Sequence, residues 1–327
     1  MTIPRRRFLQ LATTAATTAA FPALPCPALA QNYPTRPIRW VVPYPAGGAT
    51  DLISRLVAQW LSDRLGQPVV VDNRPGGGTT IGTQAVVSAP PDGYTLLFTA
   101  TTHTINVSLQ QLPFVFLRDI TLVSGLSELP LVMDVSPALP VKTLGEFVAY
   151  AKANPGKLSI ASFGAATISH LAIELFKVMT GADVVHVPYR GGAQMMADLI
   201  SGQIQAAVDS LPSSLPHIRS GKVRALALLA AERSAVLPDL PIAKEIIPEF
   251  EVRTFSGVGV PSGTPPAIVA RLNRKINAAL ADPKIKARFA EVGGVPVIMS
   301  PAEANAFVKA QTEKWAKLIK SAGIKAQ

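Results

Sequence analysis

From Ile38 onward, short apolar runs and stretches of helical periodicity alternate along the chain. Ile38 to Val42 is a largely apolar run rich in β-formers, which predicts a first strand, and a Gly-rich turn follows it. Leu52, Ile53, Leu56, Val57, Trp60 and Leu61 then recur at the spacing of one helical face. Val69 to Val71, Thr95 to Thr99, Leu131 to Val135, Leu158 to Ala161, Val184 to Val187, Gln205 to Val208 and Ala225 to Leu229 continue the strand series, with helical stretches between most of them. Near the end, Ala304, Phe307, Val308, Gln311, Trp315, Leu318 and Ile319 fall on one face of a long helix, and Gly323 suits its stop. Strands alternating with helices predict an α/β protein, and these apolar faces are packing faces.

The first thirty residues follow a different pattern. Arg5, Arg6 and Arg7 precede Phe8 and Leu9, an uncharged run of Leu, Ala, Thr and Phe follows, and Ala28-Leu29-Ala30 closes it. A basic start, a short apolar middle and an A-x-A end describe a cleavable export signal. The twin Arg followed by x-Phe-Leu points to the twin-arginine route. Pro22, Pro25 and Pro27 break the apolar run, which is too short to span a bilayer as a helix. Cys26, the single cysteine, sits between two prolines and lacks the small preceding residue that lipidation requires. Cleavage after Ala30 leaves a mature chain without thiol, and so without disulfides or Cys-held metals.

Composition narrows the partners. The chain carries 31 basic and 21 acidic residues, a net charge of +10. Three of those charges leave with the signal, and the rest are dispersed, with no basic block of the kind that grips nucleic acid. A solvated basic surface with a mild attraction for anionic solutes is the expectation. The mature length exceeds what one hydrophobic core usually holds, which predicts two lobes.

The chemistry lies in Gly-rich turns where strands meet helices. Pro45-Ala46-Gly47-Gly48-Ala49-Thr50-Asp51 links the first strand to the first helix. Small residues at that place let an anion approach the backbone N–H groups of a helix N-terminus, and Asp51 complements the macrodipole. The spacing matches neither a dinucleotide fingerprint nor a P-loop. H-E-x-x-H and G-x-S-x-G are absent, and the four histidines show no metal-like spacing. No catalytic residue, metal or cofactor is expected.

Seven segments, taken in order, resemble one family: the periplasmic solute-binding proteins of tripartite tricarboxylate transporters, the Bug family. They are the turn just described, Asn73-Arg74-Pro75-Gly76, Asp92 to Leu97, Ser162 to Leu171, Val187 to Gly192, Pro238 to Pro241 and Gly257 to Pro265. The resemblance implies a two-lobed clamp of the periplasmic-binding-protein type, each lobe a mixed sheet flanked by helices, with a carboxylate gripped between the lobes. Carried over by motif, the ligand-binding residues are Ala46, Gly47, Gly48, Thr102 and His103 from the first lobe. The second supplies Ser162, Gly164, Ala166, Thr167 and Arg190, with Asp209 nearby. Ala166 stands where a Gly is usual, Phe163 where a small residue or Pro is usual, Val107 where Pro is expected after Asn106, and Arg190 where Lys is frequent.

Turn-rich breaks near Ser127 to Pro130 and Pro238 to Pro248 place the expected boundaries. Residues 1–30 form the signal, 31–127 the first segment of lobe 1, 128–249 lobe 2, and 250–327 the second segment of lobe 1. The expected function is that of a monomeric periplasmic receptor, not an enzyme. It would capture a small organic carboxylate and deliver it to membrane transporter subunits, with no role for nucleic acid. A receptor feeding a sensory system, or a hydrolase or lyase on the same fold, stays open at this point.

Overall fold

Among the described residues, eleven strands divide between two sheets. In chain order they are β1 Ile38–Val42, β2 Val69–Asn73, β3 Thr95–Ala100, β4 Ile120–Glu128, β5 Leu131–Val135, β6 Ser159–Ser162, β7 Val185–Pro188, β8 Ala206–Ser210, β9 Arg224–Leu228, β10 Ser256–Pro261 and β11 Val295–Pro296. The computed structural model describes residues 33–47, 49–165, 167–189, 191–291 and 293–324. The expected export signal, with Arg5, Arg6, Arg7, Cys26 and Ala30, lies outside them.

The six-stranded sheet runs β11-β4-β10-β3-β1-β2 and the five-stranded one β7-β6-β8-β5-β9. Each is mixed. β1 is parallel to β2 and β3, while β10 runs antiparallel between β3 and β4. β6 is parallel to β7 and β8, while β5 is antiparallel to β8 and β9. The chain builds most of the first sheet, passes to the second between β4 and β5, and returns after β9 to add β10 and β11. This is the two-lobed α/β architecture expected from the sequence.

Two central strands of the first sheet are interrupted by glycine and serine. β4 and β10 contain Gly125, Gly257 and Gly259 among serines, and their glycines answer to crowding. A Cβ on Gly257 would lie 2.8 Å from both the Phe255 ring and the Ser124 carbonyl, and one on Gly259 would lie 2.7 Å from Ile120. Only a bare Cα fits so close an approach.

Helices cover the sheets on their apolar faces. Ile53, Val57 and Leu61 of the Ala49–Leu65 helix are buried as the periodicity predicts, whereas Leu52 is 51% exposed. Val41, Leu97, Phe116, Leu122 and Phe255 form one core cluster with Ala304 and Val308. Leu131, Met133, Phe147, Ile160, Phe176 and Val208 form another, which also takes in Trp315, Leu318 and Ile319. The final helix, Pro301–Ser321, thus roots its first half among first-sheet residues and its second half in the core of the second sheet. Complete burial of side chains of this size contributes about 1.5–3 kcal/mol each.

The two crossing segments are laced together. Thr254 accepts the Leu129 N–H at 2.9 Å and donates to the Leu129 carbonyl. Ser127 and Ser256 share a hydroxyl hydrogen bond of 2.6 Å, and the Phe255 N–H donates to Thr101 Oγ1 at 2.8 Å. Arg253 pairs with Glu128. β-bridging alone would leave these backbone groups unpaired where the chain turns from one sheet to the other.

Candidate functional site

Two cavities open where the strand ends of the two sheets face each other. One, of about 240 Å³, is lined by Tyr44, Thr50, Ile53, Phe98, Thr101, Thr102 and Phe255 from the first-sheet side and by Leu131, Phe163, Ile168 and Ser210 from the second. The other, of about 580 Å³, is lined by Tyr44, Pro45, Ala46 and Thr50 opposite Phe163, Gly191, Gly192, Asp209, Ser210 and Ser213. Tyr44, Thr50, Phe163 and Ser210 belong to both, so the two form one cleft.

The polar wall is built almost entirely from helix beginnings. Thr50 opens the helix Ala49–Leu65, Thr101 and Thr102 open Thr101–Leu109, and Ile168 opens Ile168–Thr180. Gly191 caps Gly192–Ser201, and Ser210 is the N-cap of Leu211–Arg219. Strands delivering their chains to the cleft and helices starting there follow from the crossover rule of α/β sheets, which puts ligand sites at the carboxyl ends of strands. Five N-termini supply partial positive charge, and among the described residues that line the cleft there is no cationic side chain. The arrangement suits an anion of modest charge.

Tyr44 ties the first loop together. Its hydroxyl donates to Thr102 Oγ1 at 3.2 Å, its carbonyl accepts from Asn73 at 3.2 Å, and its ring meets Phe98 edge-on at 5.9 Å. Burial pushes the phenol up to about 12, with the Thr102 contact acting the other way, so Tyr44 is neutral throughout the physiological range. Within the same loop Asp51 accepts the Gly47 N–H at 2.9 Å and the Arg55 guanidinium at 3.0 Å. Burial works to raise this carboxyl, but Arg55, the Gly47 N–H and Asn73 together hold it below the usual carboxylate range.

The structure brings some of the sequence-derived site residues together and not others. Ala46, Thr102 and Asp209 line the cleft. Gly47 is exposed in the loop at φ +85°, with its N–H engaged by Asp51. His103 turns away from the cleft. It is 3% exposed, its Nδ1 accepts the Ala100 N–H at 3.0 Å, and its Nε2 lies 3.0 Å from Thr83 Oγ1. Burial pushes His103 down to about 4, against the Ala100 contact, so it is a neutral ring that holds the helix start. Ser162 is also buried, its hydroxyl bridging the Gly164 carbonyl at 3.0 Å and His186 Nε2 at 2.7 Å. Thr167 is the N-cap of its helix: it accepts the His170 N–H at 3.4 Å and donates to the Gly164 carbonyl at 2.6 Å. Ser162, Gly164 and Thr167 therefore bond to one another and shape the loop that carries Phe163. Gly48, Ala166 and Arg190 lie outside the described residues.

Asp209 is 2% exposed, and its Oδ1 accepts the Ser210 N–H at 2.7 Å. A Cβ on Gly192 would lie 3.4 Å from both carboxylate oxygens, which places the group against the start of the Gly192–Ser201 helix. Burial raises its pKa, with Ser213, the Ser210 N–H and His217 pulling it back. Behind it on the neighbouring strand, Asp134 is fully buried. Burial pushes it up to about 8; the Ser214 hydroxyl opposes this and the Asp209 charge adds to it.

Sequence reasoning passed over Tyr44, Thr50, Ser210 and Ser213, although each stands at or beside a strand-to-helix junction, the signal that could have found them. It also passed over one group with metal-ligand chemistry. His170, Glu174 and His186 offer ligand atoms within 4.8 Å of one another, the first two an i,i+4 pair and the third brought in by β7. The two rings stack at 3.9 Å, and Lys177 already pairs with Glu174 at 3.0 Å.

Comparisons with known proteins agree with this geometry. The family model described as "Tripartite tricarboxylate transporter family receptor" matches residues 53–324. The chain is similar to Protein BugT of Bordetella pertussis, 39% identical over 303 residues, covering 91% of this chain and 93% of that protein. Among solved structures, R. palustris Rpa4515 with adipate superposes with a TM-score of 0.80 at 34% identity, covering 90% of this chain and 100% of the other. MatC from Rhodopseudomonas palustris, with bound malate, superposes at 0.74 and 31% identity, covering 88% and 100%. Among the described residues, no helix is long and apolar enough to cross a membrane.

Proposed function

Because the chain belongs to the tripartite tricarboxylate transporter receptor family, we propose that it captures a small carboxylate between its two lobes and delivers it to the membrane subunits of a transporter. The observation that carries this reading is the convergence of five helix N-termini on one cleft. A carboxylate placed there meets the partial positive charge of these helix starts and the hydroxyls of Thr50, Thr102 and Ser210. The adipate of Rpa4515 and the malate of MatC, both dicarboxylates on similar folds, support the same chemistry.

In this reading Ala46 and Thr102 approach the ligand from one side and Asp209 from the other, joined by Tyr44, Thr50 and Ser210. Ser162, Gly164 and Thr167 act through the shape of their loop. The first lobe takes 31–127 and 250–327 and the second 128–249, with the last turns of the final helix leaning on the second lobe's core. Residues 1–30 serve as a twin-arginine export signal, cleaved near Ala30, and the mature receptor works as a monomer in the periplasm.

The test is a carboxylate set against the ligand's own. Ala46 lines the cleft with an ordinary backbone conformation, so Ala46→Asp adds a negative charge without strain. Binding of a carboxylate library, followed by thermal shift on the mature protein, is expected to vanish in Ala46→Asp while the melt stays cooperative. Unchanged binding in a folded variant refutes the site.

A further inference from the structure

We propose that the ligand is a carboxylate with a compact apolar body of about the size of a six-membered ring, and not a polar di- or tricarboxylate. The inference rests on the receptor reading above and adds the class of substrate to it.

The smaller cavity carries the distinction. Much of its wall is formed by Ile53, Phe98, Leu129, Leu131, Phe163 and Phe255, residues that offer nothing to a polar group. Its volume of about 240 Å³ is larger than the roughly 150 Å³ that suffices for benzene in an apolar protein cavity, which leaves room for a ring and its carboxylate.

Four of the hydroxyls that interrupt this wall, on Ser127, Ser256, Thr101 and Thr254, are already used, while those of Thr50, Thr102 and Ser210 stand at helix N-termini. Ser127 and Ser256 bond to each other, and the Ser256 hydroxyl also reaches the Ser127 carbonyl at 3.0 Å. Thr101 is held by the Phe255 backbone and Thr254 by that of Leu129. These bonds fasten the crossing segments, so turning a hydroxyl toward a ligand would break an existing bond. A second carboxylate or a hydroxyl buried against this wall is left without a partner, a far larger penalty than any that an apolar ring meets. One end of the ligand can thus be anionic, at the helix N-termini beside Thr50 and Thr102. The end that enters this cavity is apolar.

Phe163 sets the arrangement. It lines both cavities and packs against two core clusters of the second sheet, so its ring is held as a fixed wall between the polar entrance and the apolar recess.

Isothermal titration of the mature protein with benzoate, cyclohexanecarboxylate, succinate, citrate and benzyl alcohol tests the proposal. Benzoate or cyclohexanecarboxylate is expected to bind at least about tenfold more tightly than succinate or citrate, and benzyl alcohol to bind weakly. Phe163→Ser is expected to lower benzoate affinity by about tenfold. The wild-type panel decides the matter even if that variant fails to fold. Tighter binding of succinate or citrate overturns the apolar-body proposal and leaves the carboxylate receptor standing. Benzyl alcohol binding as well as benzoate removes the carboxylate reading and the proposal with it, and no binding by any of the five overturns both.

Discussion

Asp51 Oδ2 accepts the backbone N–H of Gly47 at 2.9 Å, closing the loop between the first strand and the first helix on itself. The donor that the sequence pattern offers to a ligand is thus satisfied from within, by a carboxylate that the helix N-terminus also favours. The Asp51 carboxyl lies below its ordinary range in the folded protein, so its contribution is fully present above the unfolded value of about 3.9 and is lost as pH falls through the folded value. Asp51→Asn is expected to lower stability at pH 7 by about 1.5–3 kcal/mol, the worth of hydrogen bonds to a charged group. Its deficit should shrink as pH falls below the unfolded value, and paired urea melts at pH 7 and at acid pH measure this. An equal deficit at both would show that the charge does not matter.

Asp134 has the opposite sign. With its folded value raised to about 8 by burial, against the Ser214 hydroxyl and with the Asp209 charge, the native state holds a proton that the unfolded chain gives up near pH 4. Stability therefore falls as pH rises from about 4 to about 8. Asp134→Asn keeps the shape of the protonated acid, and its melting temperature should exceed that of the wild type at pH 8 and depend less on pH. A steeper pH dependence in the variant would contradict the protonated form.

Thr167 is committed to its helix. Thr167→Ala should cost about 1 kcal/mol of stability, as the loss of an N-cap does, and Thr167→Ser should restore most of it. Calorimetry of both variants checks this. A cap loss that leaves stability untouched would argue that the helix start is held by other contacts.

Tyr44→Phe removes the hydroxyl that joins the first loop to Thr102. Carboxylate affinity is expected to fall several-fold, because one net hydrogen bond is worth about 0.5–1.5 kcal/mol. Binding isotherms of wild type and variant at one pH suffice. Tyr44 stays neutral, so the ratio should not change between pH 6 and pH 9.

The sequence makes the fold legible where strands are apolar runs bounded by turns: β1, β3 and β5 fall where Ile38, Thr95 and Leu131 begin such runs. β10 is hidden because close packing demands glycine at Gly257 and Gly259, and glycine reads as a turn, while in β4 Gly125 interrupts the run that Ile120, Leu122 and Val123 open. The site divides along similar lines. Ala46 and Thr102 follow strand ends directly and are legible, as is Asp209 at the end of β8. The direction in which His103, Ser162 and Thr167 point is not. A polar side chain after a strand can face the cleft or serve its own helix, and the choice depends on partners such as Thr83 and His186 that are distant in sequence.

The final helix holds Ala304 and Val308 among first-sheet residues and Trp315 within the core of the second. A change of angle between the lobes cannot leave both ends undisturbed, so opening slides one end of this rod against its packing. The buried indole of Trp315 sits at the second-sheet end of that rod. Intrinsic emission at that residue becomes a built-in gauge of the lobe angle, readable in solution without a dye and separable from Trp40 and Trp60 by replacing each with Phe.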